Sequence, residues 1–255
     1  MNKSPYWKAL AGYLVVLPSI LRNCQYFGPV QTTLPTTNRE VWLTIDDGPD
    51  PRQTPQILEV LANEKVKATF FLIGSKLQAH ASLGRLIFEE GHDIQNHSHS
   101  HPSATFWAIG YRRARQELRD CSEIITDITG SAPTRFRAPV GMANPFVHLA
   151  AADLDLKLTG WSATGNDGIR HDPRRVVSKI QHGVRPGGII LLHQSHLSSL
   201  AEGERACTLK KLLTTLKRDG YQFSNMREDL RVQNTGIQIP IPEVLNDAVE
   251  STSHR

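Results

Sequence analysis

Val41-Trp42-Leu43-Thr44-Ile45-Asp46-Asp47-Gly48-Pro49 is the stretch on which the reading of the fold turns. Val41 to Ile45 is rich in apolar and β-branched residues, which suit a strand. Two carboxylates close it, and Gly48-Pro49 turns the chain sharply away. A helix follows over about Thr54 to Glu64, with Ile57, Leu58 and Leu61 on one face. Ala68 to Ile73 is then a second buried strand run. This opens a strand–helix–strand alternation with charge gathered where the first strand ends.

The alternation continues along the chain. Ser75 is a candidate cap for a helix ending near Gly91, and His92 to Asn96 is a short third strand. Tyr111, Ala114, Leu118, Cys121, Ile125 and Ile128 recur at spacings of three and four, the pattern of one buried helical face. Thr134 to Arg137 and Leu156 to Trp161 are strands, separated by a short helix over about Asn144 to Ala152. Pro173 to Gln181 is a helix with Pro in its first turn and Asp172 as its cap. Gly188 to His193 is almost wholly apolar, so it is a strand buried on both faces. A leucine-faced helix over Glu204 to Arg218 and a short strand over Tyr221 to Phe223 complete the series. Seven strands alternating with helices predict a parallel sheet, either an irregular closed (β/α) barrel or a doubly wound sheet, in one domain over about residues 38–230.

At 255 residues and 39% hydrophobic composition the chain can bury a substantial core. The first thirty positions hold Lys3, Lys8 and Arg22 and no acid, which leaves the remainder at 26 basic against 25 acidic residues. That near-neutrality argues against a nucleic-acid partner; the densest basic run, at Arg112, Arg113 and Arg115, is offset by Glu117 and Asp120. Residues 1–37 form an N-terminal segment with an apolar stretch from Ala9 to Leu21 broken by Pro18. It is short for a membrane span, which needs about 20 residues, and no small-residue cleavage site follows it. Two readings stay open: a helix packed on the domain, or peripheral membrane association through residues 5–22. The second favours a membrane-associated or cell-envelope location over a cytoplasmic one. Residues 231–255 read as a polar C-terminal tail. Cys24, Cys121 and Cys207 are too few and too widely spaced for a disulfide framework. Cys121 belongs to the apolar helical face, and Cys207 falls opposite the leucine face of its helix.

The unusual polar residues share one location. Asp46, Asp47, His97, Arg137, Trp161 and His193 all fall at or just past the C-terminal ends of expected strands, the rim where barrels of this kind assemble sites. His97 and His101 stand four apart in His-Ser-His-Ser-His; in a helical turn they face one way and can share an ion, with His99 turned elsewhere. The plain alternative is a polar loop with incidental histidines. Asp47 can supply a third ligand, giving a two-His, one-Asp site with open positions. Asp46 then remains as a base, although Asp-Asp-Gly-Pro is also an ordinary turn. His193 can donate a proton to a leaving amine, and Arg137 can pair with Asp46 or serve in a structural ion pair.

These segments together resemble the NodB-homology polysaccharide deacetylases, carbohydrate esterase family 4. Thr44-Ile45-Asp46-Asp47-Gly48-Pro49 is similar to the first motif of that family, and His97-Ser98-His99-Ser100-His101 to its second. Arg137-Ala138-Pro139-Val140-Gly141 resembles the third, Trp161 and Asp167 the fourth, and Leu191-Leu192-His193 the fifth. The resemblance spans about residues 40–225. It implies a distorted (β/α) barrel and removal of N-acetyl groups from an amino-sugar glycan. It implies Asp46 as base, His193 as acid, Arg137 orienting Asp46 and Asp167 assisting His193. Asp47, His97 and His101 would hold a divalent metal, zinc in the first instance. Val140 would offer its N–H to the oxyanion, and Trp161 and Leu191 would line the acetyl pocket.

The chain departs from those motifs at three places: Val140 stands where an aromatic is usual, Gln194 where an acid follows the histidine, and Gly168 where Trp follows Asp167. Three competing functions stay open. One is a barrel that binds glycans without catalysis. Another is an amidase of the same fold acting on a non-carbohydrate C–N bond. The third is a two-His, one-carboxylate iron oxygenase, against which the strand–helix alternation argues.

Overall fold

The computed structural model describes residues 16–168, 172–194 and 203–227. The expectations for residues 5–15 and for the tail at 231–255 lie outside them. The chain runs β1 (Glu40–Gly48), α1 (Gln53–Asn63), β2 (Thr69–Leu72), α2 (Gly74–Ala79), α3 (Ala81–Glu89) and β3 (Asp93–Asn96). Then come α4 (Tyr111–Thr129), β4 (Arg135–Phe136), α5 (Pro145–Ala152), β5 (Lys157–Leu158) and β6 (Ala163–Thr164). The last elements are α6 (Pro173–Gly183), β7 (Gly188–His193), α7 (Glu204–Arg218) and β8 (Gln222–Phe223).

Every named strand pair is parallel, in the order β5-β4-β3-β2-β1-β7-β6, with β8 alongside the start of β1. The sheet curls into the distorted barrel expected. Between β5 and β6 the described strands make no ladder, and an N-terminal strap fills the gap. Gln31 bridges Thr159, Thr33 bridges Gly188, and Leu34 N–H donates to Gly187 O at 2.7 Å. Val30 from this strap is buried with Phe136 and Leu158.

Side-chain parity places the site. Successive strand residues face opposite sides of a sheet. In β1, Val41, Leu43 and Ile45 join the core beneath the helices, with Ile190 and Leu192 of β7 and the buried faces of α1, α6 and α7. Trp42, Thr44 and Asp46 are the alternate set. They stand opposite Ile189, Leu191 and His193 in the β1–β7 register, and Trp42, Phe71 and Ile189 pack together inside the barrel. One strand parity thus builds the core, and the other delivers Asp46 and His193 side by side to the interior. Burying each Leu, Ile or Phe of either set contributes about 1.5–3 kcal/mol.

Local expectations met several outcomes. β7 and α7 have the expected bounds, and α6 is capped by Asp172, which accepts from Arg174 N–H and Arg175 N–H. Asn144 caps α5, accepting from Val147 N–H. Ser75 caps nothing: α2 already begins at Gly74, and the expected single helix breaks at His80. β6 escaped the sequence reading because two laddered residues carry no periodicity. The expected strand over Leu156 to Trp161 forms its ladder only at Lys157–Leu158.

Candidate metal centre and catalytic pair

Adjacent strand residues should point to opposite faces, so Asp46 and Asp47 cannot share one site in a regular strand. A bulge resolves this. Asp46 opposes Phe71 and Gly48 opposes Leu72, leaving Asp47 as the extra residue, at φ 71°. Both carboxylates thereby face the same cleft, which encloses about 640 Å³ and is lined among others by His97, His101, Val140, Trp161, Leu191 and His193. Gly48 leaves no room for a side chain: a Cβ there would lie 1.5 Å from Gln194 Oε1. Gln194, at the position of the expected acid, is buried and donates its N–H to Asp46 O at 2.9 Å.

His97 and His101 do converge, but not through a helical turn. They lie in a loop past β3 in which Ser98 (φ 63°) and His101 (φ 51°) adopt left-handed backbone. That geometry is costly for residues other than glycine, and side chains hold it in place. Asn96 Oδ1 accepts from Ser98 N–H, Ser98 Oγ accepts from His101 N–H, and buried Glu117 of α4 accepts both Ser100 N–H and Ser100 Oγ–H at 2.7 Å. Glu117 was missed as a site residue. Its signal was available: it sits three residues after Ala114 on the apolar face of α4. His99 turns away and packs against Gly74.

Asp47 Oδ1 lies 3.4 Å from His97 Nε2 and 3.3 Å from His101 Nε2, and one ligand atom from each of the three residues falls within 4.8 Å of the others. Ligands about 2.0–2.2 Å from a tetrahedral ion are separated by about these distances. His97 Nδ1 is 2.8 Å from Arg137 O. A carbonyl only accepts, so Nδ1 carries a proton, and Nε2 is the ring atom that faces the carboxylates and could ligate an ion, the outer-shell arrangement of a metal-ligating histidine. Burial first, then the neighbouring His97 charge, lowers His101 to about 4, so it is a neutral donor at neutral pH. Burial alone would raise the Asp47 carboxyl, but its hydrogen bond to His97 and the surrounding imidazoles hold it well below the usual carboxylate range. The donor set fits a divalent ion.

Asp46 stands beside this cluster, with Oδ2 3.7 Å from His97 Nε2. Its other oxygen accepts from Arg137 Nη1 at 2.7 Å, and the same nitrogen donates to Thr44 Oγ at 2.7 Å. Arg137 Nη2 and Nε donate to Gly160 O and Thr159 O, and its guanidinium lies 4.1 Å from the Phe71 ring centre. Arg137→Leu is expected to destabilise the fold by about 3–5 kcal/mol, because Asp46 would keep a buried charge without its partner. Chemical denaturation measures it. Arg137→Leu with Asp46→Asn should recover part of the loss, and an unchanged midpoint in the single variant would refute the account.

His193 and Asp167 form a second pair. Asp167 Oδ1 is 3.0 Å from His193 Nδ1, and Oδ2 accepts His193 N–H at 2.7 Å. Burial alone would lower the imidazole, but the Asp167 charge and hydrogen bond, with Asp47 and Asp46, push it up to about 9. Val140 reaches the cleft from a short 3-10 turn with φ 60°, and the next residue, Gly141, lies so close to Trp161 that a Cβ would be 2.5 Å from its ring. Asn23 of the strap donates its N–H to Gly141 O and its Nδ2–H to Trp161 O, both at 2.9 Å. Arg22 and Lys76 add two cations to the cleft lining, a position that the sequence assigned to neither.

A parallel, incompletely laddered barrel carries a two-His, one-Asp cluster at its C-terminal rim, flanked by one ion-paired aspartate and one aspartate-backed histidine, which are the parts a metal-dependent hydrolase of the barrel class requires. Residues 33–159 match the family described as polysaccharide deacetylase, and the chain belongs to that family. It is 33% identical over 192 residues to the peptidoglycan-N-acetylglucosamine deacetylase PgdA of Listeria monocytogenes, an alignment covering 75% of this chain and 39% of that protein. It is 33% identical over 197 residues to a chitooligosaccharide deacetylase of Bradyrhizobium sp., covering 72% of this chain and 88% of that one. Among solved structures, the Bc1960 peptidoglycan N-acetylglucosamine deacetylase superposes with a TM-score of 0.70 at 30% identity, covering 76% of this chain and 89% of that chain. The chain thus spans about two-fifths of the Listeria protein's length.

Proposed function

We propose that this chain hydrolyses the N-acetyl group of N-acetylglucosamine-type residues in a peptidoglycan or chitin-like glycan. The observation that carries the reading is the convergence of Asp47, His97 and His101 with Asp46 beside them. A divalent ion held by those three residues supplies Lewis-acid polarisation of an acyl carbonyl and acidifies water. Two imidazoles and a carboxylate suit zinc, and iron, cobalt or nickel compete on the same donors.

The chain's own groups account for the rest of the reaction. Asp46, fixed by Arg137, takes the proton of the attacking water as the C–O bond forms, a contribution of about 10²–10⁴-fold. Val140 offers its N–H to the developing oxyanion; one such donor contributes about 3 kcal/mol. Trp161 and Leu191 bound the space for the methyl group. His193, protonated and oriented by Asp167, delivers its proton to the departing amine as the C–N bond breaks. Retention of both proton-transfer groups favours catalysis over mere glycan binding.

The test is acetate release from N-acetylated oligosaccharides and peptidoglycan fragments, before and after chelation. Activity is expected to fall to background with chelator and to return with added zinc. Full activity after complete metal removal would defeat the reading. Release of ammonia or another amine from non-carbohydrate amides, with no acetate from any sugar, would favour the amidase of the same fold.

We also propose that residues 5–22 rest on an anionic membrane surface, placing the barrel at the cell envelope. Two observations support this. Val16, Leu17, Ile20 and Leu21 are exposed apolar side chains on or beside the helical residues 16–20. Lys3, Lys8 and Arg22 are the charged residues of the first thirty positions. No helix among the described residues is long and apolar enough to cross a membrane. Sedimentation with phosphatidylglycerol vesicles should carry the chain down, and Leu17→Glu with Ile20→Glu should release it. Equal recovery of both proteins in the supernatant would oppose the proposal.

A further inference from the structure

α7 packs against α1 and α6 through Leu209, Leu212, Leu213 and Leu216. Arg205 stands one helical turn before Leu209 and lies in the same stripe, only 9% exposed. An arginine in a leucine stripe carries a desolvation cost of several kcal/mol unless its charge and N–H groups are met. Arg205 is met through one nitrogen, Nη1, from the catalytic side of the barrel, while Nη2 is buried without a hydrogen-bond partner among the described residues. Its Nη1 donates to His193 O at 2.7 Å and lies 3.5 Å from Asp167 Oδ2. Asp167 Oδ2 also accepts His193 N–H, and Asp167 Oδ1 meets His193 Nδ1. The peptide groups on both sides of His193 are therefore pinned, its N–H by Asp167 and its C=O by Arg205. Arg205 also lies against the carboxylate that orients the imidazole.

We propose that Arg205 is a positioning residue for proton donation by His193. It ties the end of β7 and the Asp167 carboxylate to one rigid helix, so the imidazole keeps its direction toward the cleft. Neither the Asp167–His193 pair nor the strand supplies this by itself: the pair fixes the two groups to each other, and Arg205 fixes both to the scaffold. The inference rests on the assignment of His193 as the acid in the proposed deacetylation.

The experiment compares two acetyl donors. An N-acetyl amide needs its leaving amine protonated. An aryl acetate such as 4-nitrophenyl acetate expels a stable phenolate without that proton. Arg205→Met should lower the amide-to-ester ratio of kcat by about tenfold or more, a fraction of what general acid catalysis supplies, with the KM for the sugar unchanged. Arg205→Lys should recover part of the ratio, since both contacts come from the one nitrogen Nη1 and an ammonium, held on a shorter side chain, replaces its charge and its donors. An equal fall with both substrates, or no fall with the amide, would overturn the inference. Should the methionine variant not fold, Arg205→Lys is read by the same ratio, and the same outcomes support or overturn the inference. His193→Ala separates the two levels. If it leaves the ratio unchanged, the assignment of His193 fails; if it collapses the ratio while the Arg205 variants do not, only the role of Arg205 fails.

Discussion

Asp46→Asn is expected to lower turnover by about 10²–10⁴-fold, the range that a positioned general base contributes, while the purified variant keeps its metal. The substitution is nearly isosteric and spares the packing of Thr44 and Trp42 on the same face of β1. Its amide oxygen can still accept from Arg137 Nη1, which the carboxylate now meets at 2.7 Å. What disappears is an acceptor for the water's proton. Asp47, His97 and His101, whose mutual distances define the cluster, are left in place. Steady-state kinetics on an N-acetylated oligosaccharide, with metal content from the same preparation, reads both halves. Wild-type turnover in a metal-loaded variant would remove Asp46 from the mechanism.

His97→Ala and His101→Ala should each abolish stoichiometric metal binding and acetate release together. Loss of an outer-shell partner alone typically weakens a metal site by about 10–100-fold, and losing a direct ligand exceeds that. The two variants are not expected to be equal. The His97 side chain is 3% exposed and its Nδ1–H is tied to Arg137 O, so its removal also leaves that buried carbonyl without its partner. The His101 side chain is 19% exposed and closes the cluster from the solvent side. The His97 variant should therefore lose thermal stability as well as metal, and the His101 variant should lose metal with little change in the midpoint. Metal titration beside thermal denaturation separates them. Retention of a full equivalent of tightly held ion by either variant would contradict the assigned ligand set.

Much of this arrangement was legible in the residues, and what escaped did so for identifiable reasons. The strand at Gly188–His193 and the leucine-faced helix at Glu204–Arg218 were bounded correctly because long apolar runs and helical stripes carry their own period. Asp172 announced its helix because a cap is a local hydrogen bond. β6 was invisible because two residues have no period. The histidine pair was found for a reason that did not hold: spacing of four suggested a helical turn, whereas left-handed backbone at Ser98 and His101 makes the bend. Glu117 and Arg205 were passed over because a charged residue on an apolar helical face breaks the pattern used to find the face.

Local residue chemistry determined the strand–helix alternation, the parity that turns Asp46 and His193 to the barrel interior, and the donor types offered to a metal. Tertiary structure alone decided that Asp47 joins them. Its direction comes from a one-residue bulge set by the β1–β2 register, and a strand pattern of period two predicts the opposite face. Tertiary structure also decided that the strap at Gln31 fills the gap between β5 and β6, and that Arg205 reaches back to Asp167 and His193. The physical reason is common to all three. Hydrophobic periodicity is written along the chain within a few residues, whereas register, bulges and cross-barrel hydrogen bonds join segments far apart in sequence and exist only once the sheet has curled.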